Sequence, residues 1–175
     1  MTPHPPLLVA FAGLPGAGKT TIARALALRL GAVFLRIDTI EAGLAQSVLR
    51  IDPAEDAGYV VARALAEENL RQGLTVVVDG VNPIDPTRRA FAEVAHRAGV
   101  AILDVEIVCS DEEEHRRRVE RRLADLPGQK LPTWADVKAR RWEPFAHERL
   151  LVDTARLAVE EAVALIARGA ATAGT

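Results

Sequence analysis

Eight residues near the amino end, Gly13-Leu14-Pro15-Gly16-Ala17-Gly18-Lys19-Thr20, constrain this chain more than any other stretch. They follow an apolar run, Leu7 to Ala12, and open a segment of helical period, so the backbone turns from strand to helix across three glycines. The spacing fits G-x-x-x-x-G-K-[S/T]. In that pattern glycines let successive N–H groups face inward with no Cβ in the way, and the helix that follows adds the positive end of its dipole. Such a loop cradles phosphate oxygens. Lys19 then reaches the outer phosphates of a nucleoside triphosphate, and the Thr20 hydroxyl faces Mg2+, which keeps several waters and needs no cage of protein ligands. The structural alternative is a glycine-rich strand-to-helix turn carrying an exposed lysine.

The remaining periodicity supplies the scaffold such a loop requires. Leu7 to Ala12, Val33 to Ile37, Leu74 to Val78, Val100 to Val108 and Leu150 to Val152 read as strands. Several are apolar at nearly every position, as strands covered on both faces are. Between them run helical stripes: Ala57, Val60, Val61, Ala64 and Leu65; Phe91, Val94, Ala95 and Ala98; and Ala155, Ala158, Val159, Ala162, Val163 and Ile166. Right-handed crossovers then give a three-layer α/β sandwich. With 175 residues, 49% of them hydrophobic and 26% charged, the chain fits a single globular domain with a core of its own. No internal repeat or long linker divides it, and Gly169 to Thr175 is expected to fray as a tail.

Acidic and basic residues number 24 and 22, which disfavours a protein that holds long nucleic acid through its phosphates. Positive charge is nevertheless concentrated, with nine Lys or Arg between His115 and Arg141, and this points to a small anionic ligand. The lone Cys109 reads as a buried hydrophobe, and His4, His96, His115 and His147 show no ligand spacing. The first residues lack a basic n-region, and the apolar stretch from Leu7 is interrupted too early to span a bilayer, so a cytoplasmic, membrane-free protein is expected.

From the glycine-rich loop onward the chain resembles the AAA-type, ATP-binding kinase-like group of small P-loop kinases that includes chloramphenicol phosphotransferase, gluconate kinase, zeta toxins and the kinase domain of phage polynucleotide kinase. Besides the loop, the likeness rests on Asp38, on Val76-Val77-Val78-Asp79-Gly80-Val81-Asn82 and on the arginines around Arg118 and Arg122. It extends to Trp142-Glu143-Pro144-Phe145 and Leu151-Val152-Asp153-Thr154. The resemblance implies a P-loop NTPase fold with a five-stranded parallel sheet of order 2-3-1-4-5 and a helical lid, here about residues 115 to 141. It implies ATP-dependent transfer of a phosphoryl group to a hydroxyl, with ATP and Mg2+ as cofactors, and leaves the acceptor open.

Within that frame Gly13, Leu14, Pro15, Gly16, Ala17, Gly18, Lys19, Thr20 and Thr21 are expected on the ATP phosphates, while Thr20 and Asp79 hold Mg2+. By resemblance Asp38 accepts the proton of the acceptor hydroxyl. Asp38-Thr39-Ile40-Glu41 also reads as a capping box, and one position can serve both purposes. Asp79, after three valines, has the placement of a Walker B carboxylate or of a turn residue. Asn82 and Arg88, by the same resemblance, orient the acceptor, although Arg88 also reads as a solvated helix residue. Arg118 and Arg122, four apart, share one helical face and are suited to neutralise transferring phosphate; Arg117 with Arg121 offers the same spacing, and most charges on such a helix are solvated. Asp153 and Thr154 border adenine by analogy, or cap the last helix. Pro127 and Gly128 would permit hinge motion, and Trp134 and Trp142 are read first as packing residues. The activity expected is a small-molecule kinase. The alternatives are a nucleotide or polynucleotide 5′-hydroxyl kinase and an ATP-binding switch without transfer.

Overall fold

The computed structural model describes residues 5–174. In chain order the elements are β1 (Leu7–Ala12), α1 (Lys19–Leu30), β2 (Val33–Arg36), α2 (Ile37–Gln46), α3 (Ala57–Arg71) and β3 (Val76–Asp79). They continue with α4 (Asp85–Ala98), β4 (Ala101–Val108), α5 (Glu112–Arg121), α6 (Trp134–Ala139), β5 (Leu150–Asp153) and α7 (Val159–Ala173). All strand pairs are parallel, and the sheet runs β2-β3-β1-β4-β5, the order the resemblance implies.

Continuous burial of β1 and β3 follows from helices on both faces of the sheet. Alternate residues serve opposite layers. Leu7, Val9, Phe11, Val77 and Ile107 meet Ile22, Leu26, Val163 and Ile166 of α1 and α7, whereas Leu8, Ala10, Val76 and Val78 meet Ala62, Leu70, Phe91 and Val94 of α3 and α4. The carboxyl ends of the strands therefore open on one edge, where the β1–α1 loop lies and where sheets of this kind bind ligands.

The structure departs from the sequence reading in one helix face, one strand end and the terminal segment, beside shifts of one or two residues at the ends of β3, β4 and β5. On α3 the buried row is Gly58, Ala62, Ala66 and Leu70, while Val60, Val61 and Leu65 are exposed on its flank. Small side chains let that helix lie close to its neighbours, so size rather than apolarity chose the face. Strand β2 stops at Arg36, and α2 begins at Ile37 with no intervening loop. The segment expected to fray is the final turn of α7 as far as Ala173, with Ala170 buried. Thr175, like His4, lies outside the described residues. No helix among the described residues is long and apolar enough to cross a membrane.

Candidate active site

The β1–α1 loop is pressed against the strand ends. Gly13 lies at φ +148°, its N–H donates to the carbonyl of Val81 at 3.0 Å, and a Cβ there would run into the carbonyl oxygen of Ile107. Gly18 takes φ +100° at the start of α1, where no side chain caps the helix, so its first N–H groups stay available to an anion. Leu14, Pro15, Gly16 and Ala17 complete the turn. The buried His115 of α5 bonds the Pro15 carbonyl through Nε2 at 2.8 Å.

Lys19 is buried, not exposed, which removes the structural alternative for this motif. Its Nζ donates to the carbonyl of Leu14 at 2.9 Å. Burial lowers its pKa to about 8, against the raising influence of Asp79 and Asp38. Thr20 lines the same cavity as Asp79, a buried carboxylate whose pKa is pushed up by desolvation against the lowering influence of Lys19. Thr21 is exposed on α1.

Lys19, Thr20, Asp38, Asp79 and Arg122 share one cavity of about 720 Å³, which Glu41, Tyr59, Pro127 and Gly128 also line. Asp38 occupies the first turn of α2 and does not cap it, because the capping position falls on Arg36; the capping box with Glu41 is not formed. One oxygen of Asp38, Oδ2, is held by Arg36 Nη2 at 3.3 Å and Gln129 Nε2 at 3.2 Å, with Arg122 Nη2 at 3.8 Å. Oδ1 accepts no hydrogen bond among the described residues.

The two lid arginines part company. Helix α5 ends at Arg121 and the backbone is extended at Arg122, so the expected common face is not realised. Arg122 lines the cavity. Arg118 instead donates to the Thr154 hydroxyl at 2.8 Å and to its carbonyl at 3.2 Å. Thr154 in turn bonds the carbonyl of Ala17, so Arg118 supports the phosphate loop from below. Arg117 pairs with Glu114 near the solvent, and Arg121 is exposed.

Asn82 and Arg88 are fully buried and do not line the cavity. Asn82, at φ +43°, donates from Nδ2 to the carbonyl of Phe11 at 2.8 Å. Arg88 bonds the carbonyls of Asn82, Pro83 and Glu143 and stacks its guanidinium 4.0 Å from the centre of the Phe145 ring. Trp142 packs on the same guanidinium at 5.0 Å, and Trp134 packs edge-on against His115. Asp153 accepts from the N–H groups of Ser110 and Ala155 and so shapes the loop after β5; the N-cap of α7 is Ala158, so neither Asp153 nor Thr154 fills that position.

The sequence reading missed Arg36. Its side chain is 3% exposed and meets three carboxylates, those of Asp38, Asp79 and Asp125. The available signal was a single cation closing an apolar strand immediately before a candidate acid.

A glycine-rich strand-to-helix loop around a buried lysine, set beside the strand-end carboxylate Asp79 on a 2-3-1-4-5 parallel sheet, defines a P-loop domain. The sequence model of the family described as an AAA domain matches residues 8–144, and the chain belongs to that family. Two curated proteins of Aeropyrum pernix are similar to it. One is named "UPF0200 protein", 28% identical over 127 residues, with 66% of this chain and 65% of that one covered. The other is named "Probable adenylyl-sulfate kinase", 29% identical over 124 residues, with 63% of each covered. The chain thus spans somewhat under two-thirds of the length of these relatives. Among solved structures, Kti12 of Chaetomium thermophilum in complex with ADP-AlF3 superposes with a TM-score of 0.72 at 21% identity, covering 96% of this chain and 99% of that one. A gluconokinase of Sinorhizobium meliloti superposes with a TM-score of 0.63 at 24% identity, covering 97% and 95%. These likenesses show the fold.

Proposed function

We propose that this protein transfers the γ-phosphoryl group of ATP to a hydroxyl of a small molecule held in the cavity between α2, α3 and the 122–133 segment. The observation that carries the reading is the division of Asp38: Oδ2 accepts hydrogen bonds from Arg36 and Gln129 and faces Arg122 at 3.8 Å, while Oδ1 accepts none among the described residues, in the cavity that Lys19 also lines. A carboxylate anchored by one oxygen is suited to accept an acceptor's hydroxyl proton with the other.

The residues present fit ATP and Mg2+. Lys19, a buried ammonium whose charged form is disfavoured until an anion arrives, matches a β,γ-phosphate partner. Thr20 and Asp79 line the same cavity and together would supply the hydroxyl and carboxylate that Mg2+ takes alongside phosphate oxygens and water. Bound there, the ion would neutralise charge on the β- and γ-oxygens. Gly13 to Thr21 would bind the triphosphate, with Thr154 and Asp153 at the nucleoside side. Arg122 would approach the moving phosphoryl group, and Arg118 would act through Thr154. The names of the relatives make adenylyl sulfate and gluconate the first acceptors to try.

ADP formation from Mg-ATP, measured across a panel of hydroxyl acceptors including those two, tests the reading. Wild type should turn over at least one. Asp38→Asn should retain ATP affinity within about twofold and lose about a hundredfold or more in turnover, the range of a removed general base. Full turnover by Asp38→Asn would overturn the assignment.

A further inference from the structure

The guanidinium of Arg36 is placed where three elements converge. Asp38 comes from α2, Asp79 from the end of β3, and Asp125 from the segment between α5 and α6. Two of its nitrogens bridge Asp125, Nη1 at 2.5 Å and Nη2 at 3.0 Å, and Nη2 is shared with Asp38 at 3.3 Å. Nε stands 4.0 Å from Asp79 and has no hydrogen-bond partner. Arginine stays charged at any working pH, so a guanidinium this buried must keep an anion beside it.

The three carboxylates differ in how firmly they are attached. Asp38 and Asp79 belong to regular elements, whereas Asp125 lies in a segment that touches the rest of the site through a few polar contacts. These are Arg122 to Asp38 at 3.8 Å, Gln129 to Asp38 at 3.2 Å, Lys130 to Asp52 at 3.4 Å, and the Asp125 bridge itself. Leu123 in the same segment is 85% exposed, so little apolar burial holds the segment down, and it belongs with the readily opened parts of the fold. If it lifts, Arg36 loses its bidentate partner, and Asp38 is the nearest anion left to take the vacated nitrogens.

We infer that Arg36 is a positioning residue that exchanges partners: it holds Asp125 when the 122–133 segment is seated over the acceptor, and draws Asp38 away from the acceptor when that segment lifts. Closure and presentation of the base are then one event. With the segment down, Asp125 takes both Nη1 and Nη2 of the guanidinium, the contact to Asp38 is the longer one, and Oδ1 accepts no hydrogen bond and can face the acceptor hydroxyl. With the segment up, Arg36 engages Asp38 fully and the site is idle. This role rests on the kinase reading above.

Asp125→Asn in the full chain tests it, because the residue sits on an exposed loop and Asp38 is available to compensate the buried charge. Three quantities are read: turnover of an accepted substrate, ATP affinity by titration, and amide hydrogen exchange of residues 122–133. Expected are a fall in kcat of about tenfold to a hundredfold, the scale of a misplaced reacting group, unchanged ATP affinity, and faster exchange in 122–133 but not in the phosphate loop. Arg36→Lys, which keeps the charge and loses the fork, should reproduce the pattern, and the double variant should be no worse than the more damaged single one. A purely structural role would lower Tm with kcat per folded molecule intact, and that result overturns the inference, as does additive loss in the double variant. In either case wild-type turnover leaves the kinase reading standing. A wild type that phosphorylates no acceptor, while binding ATP, sinks the kinase reading and this role with it.

Discussion

The ammonium of Lys19 lies 2.9 Å from the carbonyl oxygen of Leu14, inside the loop whose anion it is positioned to meet. Burial costs it charge and brings its pKa down to about 8. A triphosphate beside it would favour the charged form and raise that pKa again. Well below pH 8 the lysine is already protonated and binding takes up no proton there. Above pH 8 it is neutral in the free protein, so binding must draw a proton from solution, and affinity falls as pH rises. Calorimetry at pH 7 and pH 9, in buffers of differing ionisation enthalpy, should show uptake only at the higher value; Lys19→Met should abolish the difference.

Thr154 joins β5 to the phosphate loop. Its hydroxyl faces the carbonyls of Ala17 and Val108 and receives Arg118. Thr154→Val keeps the shape and removes the polar link. Nucleotide affinity should weaken by about fivefold, the value of one ordinary hydrogen bond near 1 kcal/mol. Unchanged affinity in titrations would show that the link does not reach the phosphates.

Arg88 tests the acceptor role expected from the resemblance against the buried position found. Three carbonyls and two aromatic rings surround it, so Arg88→Met should cost roughly 2–4 kcal/mol of stability in denaturant titration while leaving nucleotide affinity per folded molecule intact. Retained stability with a raised acceptor KM would place the side chain at the acceptor after all.

Gly13 tests the close approach of the loop to β4. A methyl group there meets the Ile107 carbonyl in a backbone conformation that L residues rarely adopt. Gly13→Ala should therefore lower Tm and weaken nucleotide binding together, because the loop cannot move outward without losing its bond to Val81. Parental behaviour in a melting curve and a titration would contradict this.

The strands and the phosphate loop were legible because both are written in local pattern, apolar runs covered on two faces and glycines spaced for inward N–H groups, whereas the order of the strands came only from the family resemblance. Asp38 and Asp79, each next to the end of an apolar run, could be placed on the edge of the sheet where the phosphate loop opens, while Arg122 was expected on a lid helix and lines the cavity from beyond the end of α5. What could not be read depends on partners distant in sequence. Arg36 and Asp125 are 89 residues apart, and nothing local to either announces the other. Arg118 and Arg122 obey helical spacing on paper, but where α5 ends is decided by tertiary contacts, and one turn separates a loop-supporting residue from a cavity-lining one. Likewise Asp104 and Glu106 sit in a strand that reads as apolar and are tolerated because His147 and Arg149 meet them. On α3 the first ten residues hold Arg63 as their one charged side chain, so the apolar periodicity there could not reveal that Gly58, Ala62 and Ala66 would be buried and Val60 exposed.

Titration of Mg-ATP into the wild-type protein and into Lys19→Ala tests the central claim most directly. Saturable binding by the parent, weakened about a hundredfold in the variant as the loss of a charge-assisted phosphate contact requires, is the result predicted. No binding by the parent, or equal binding by both, would contradict it.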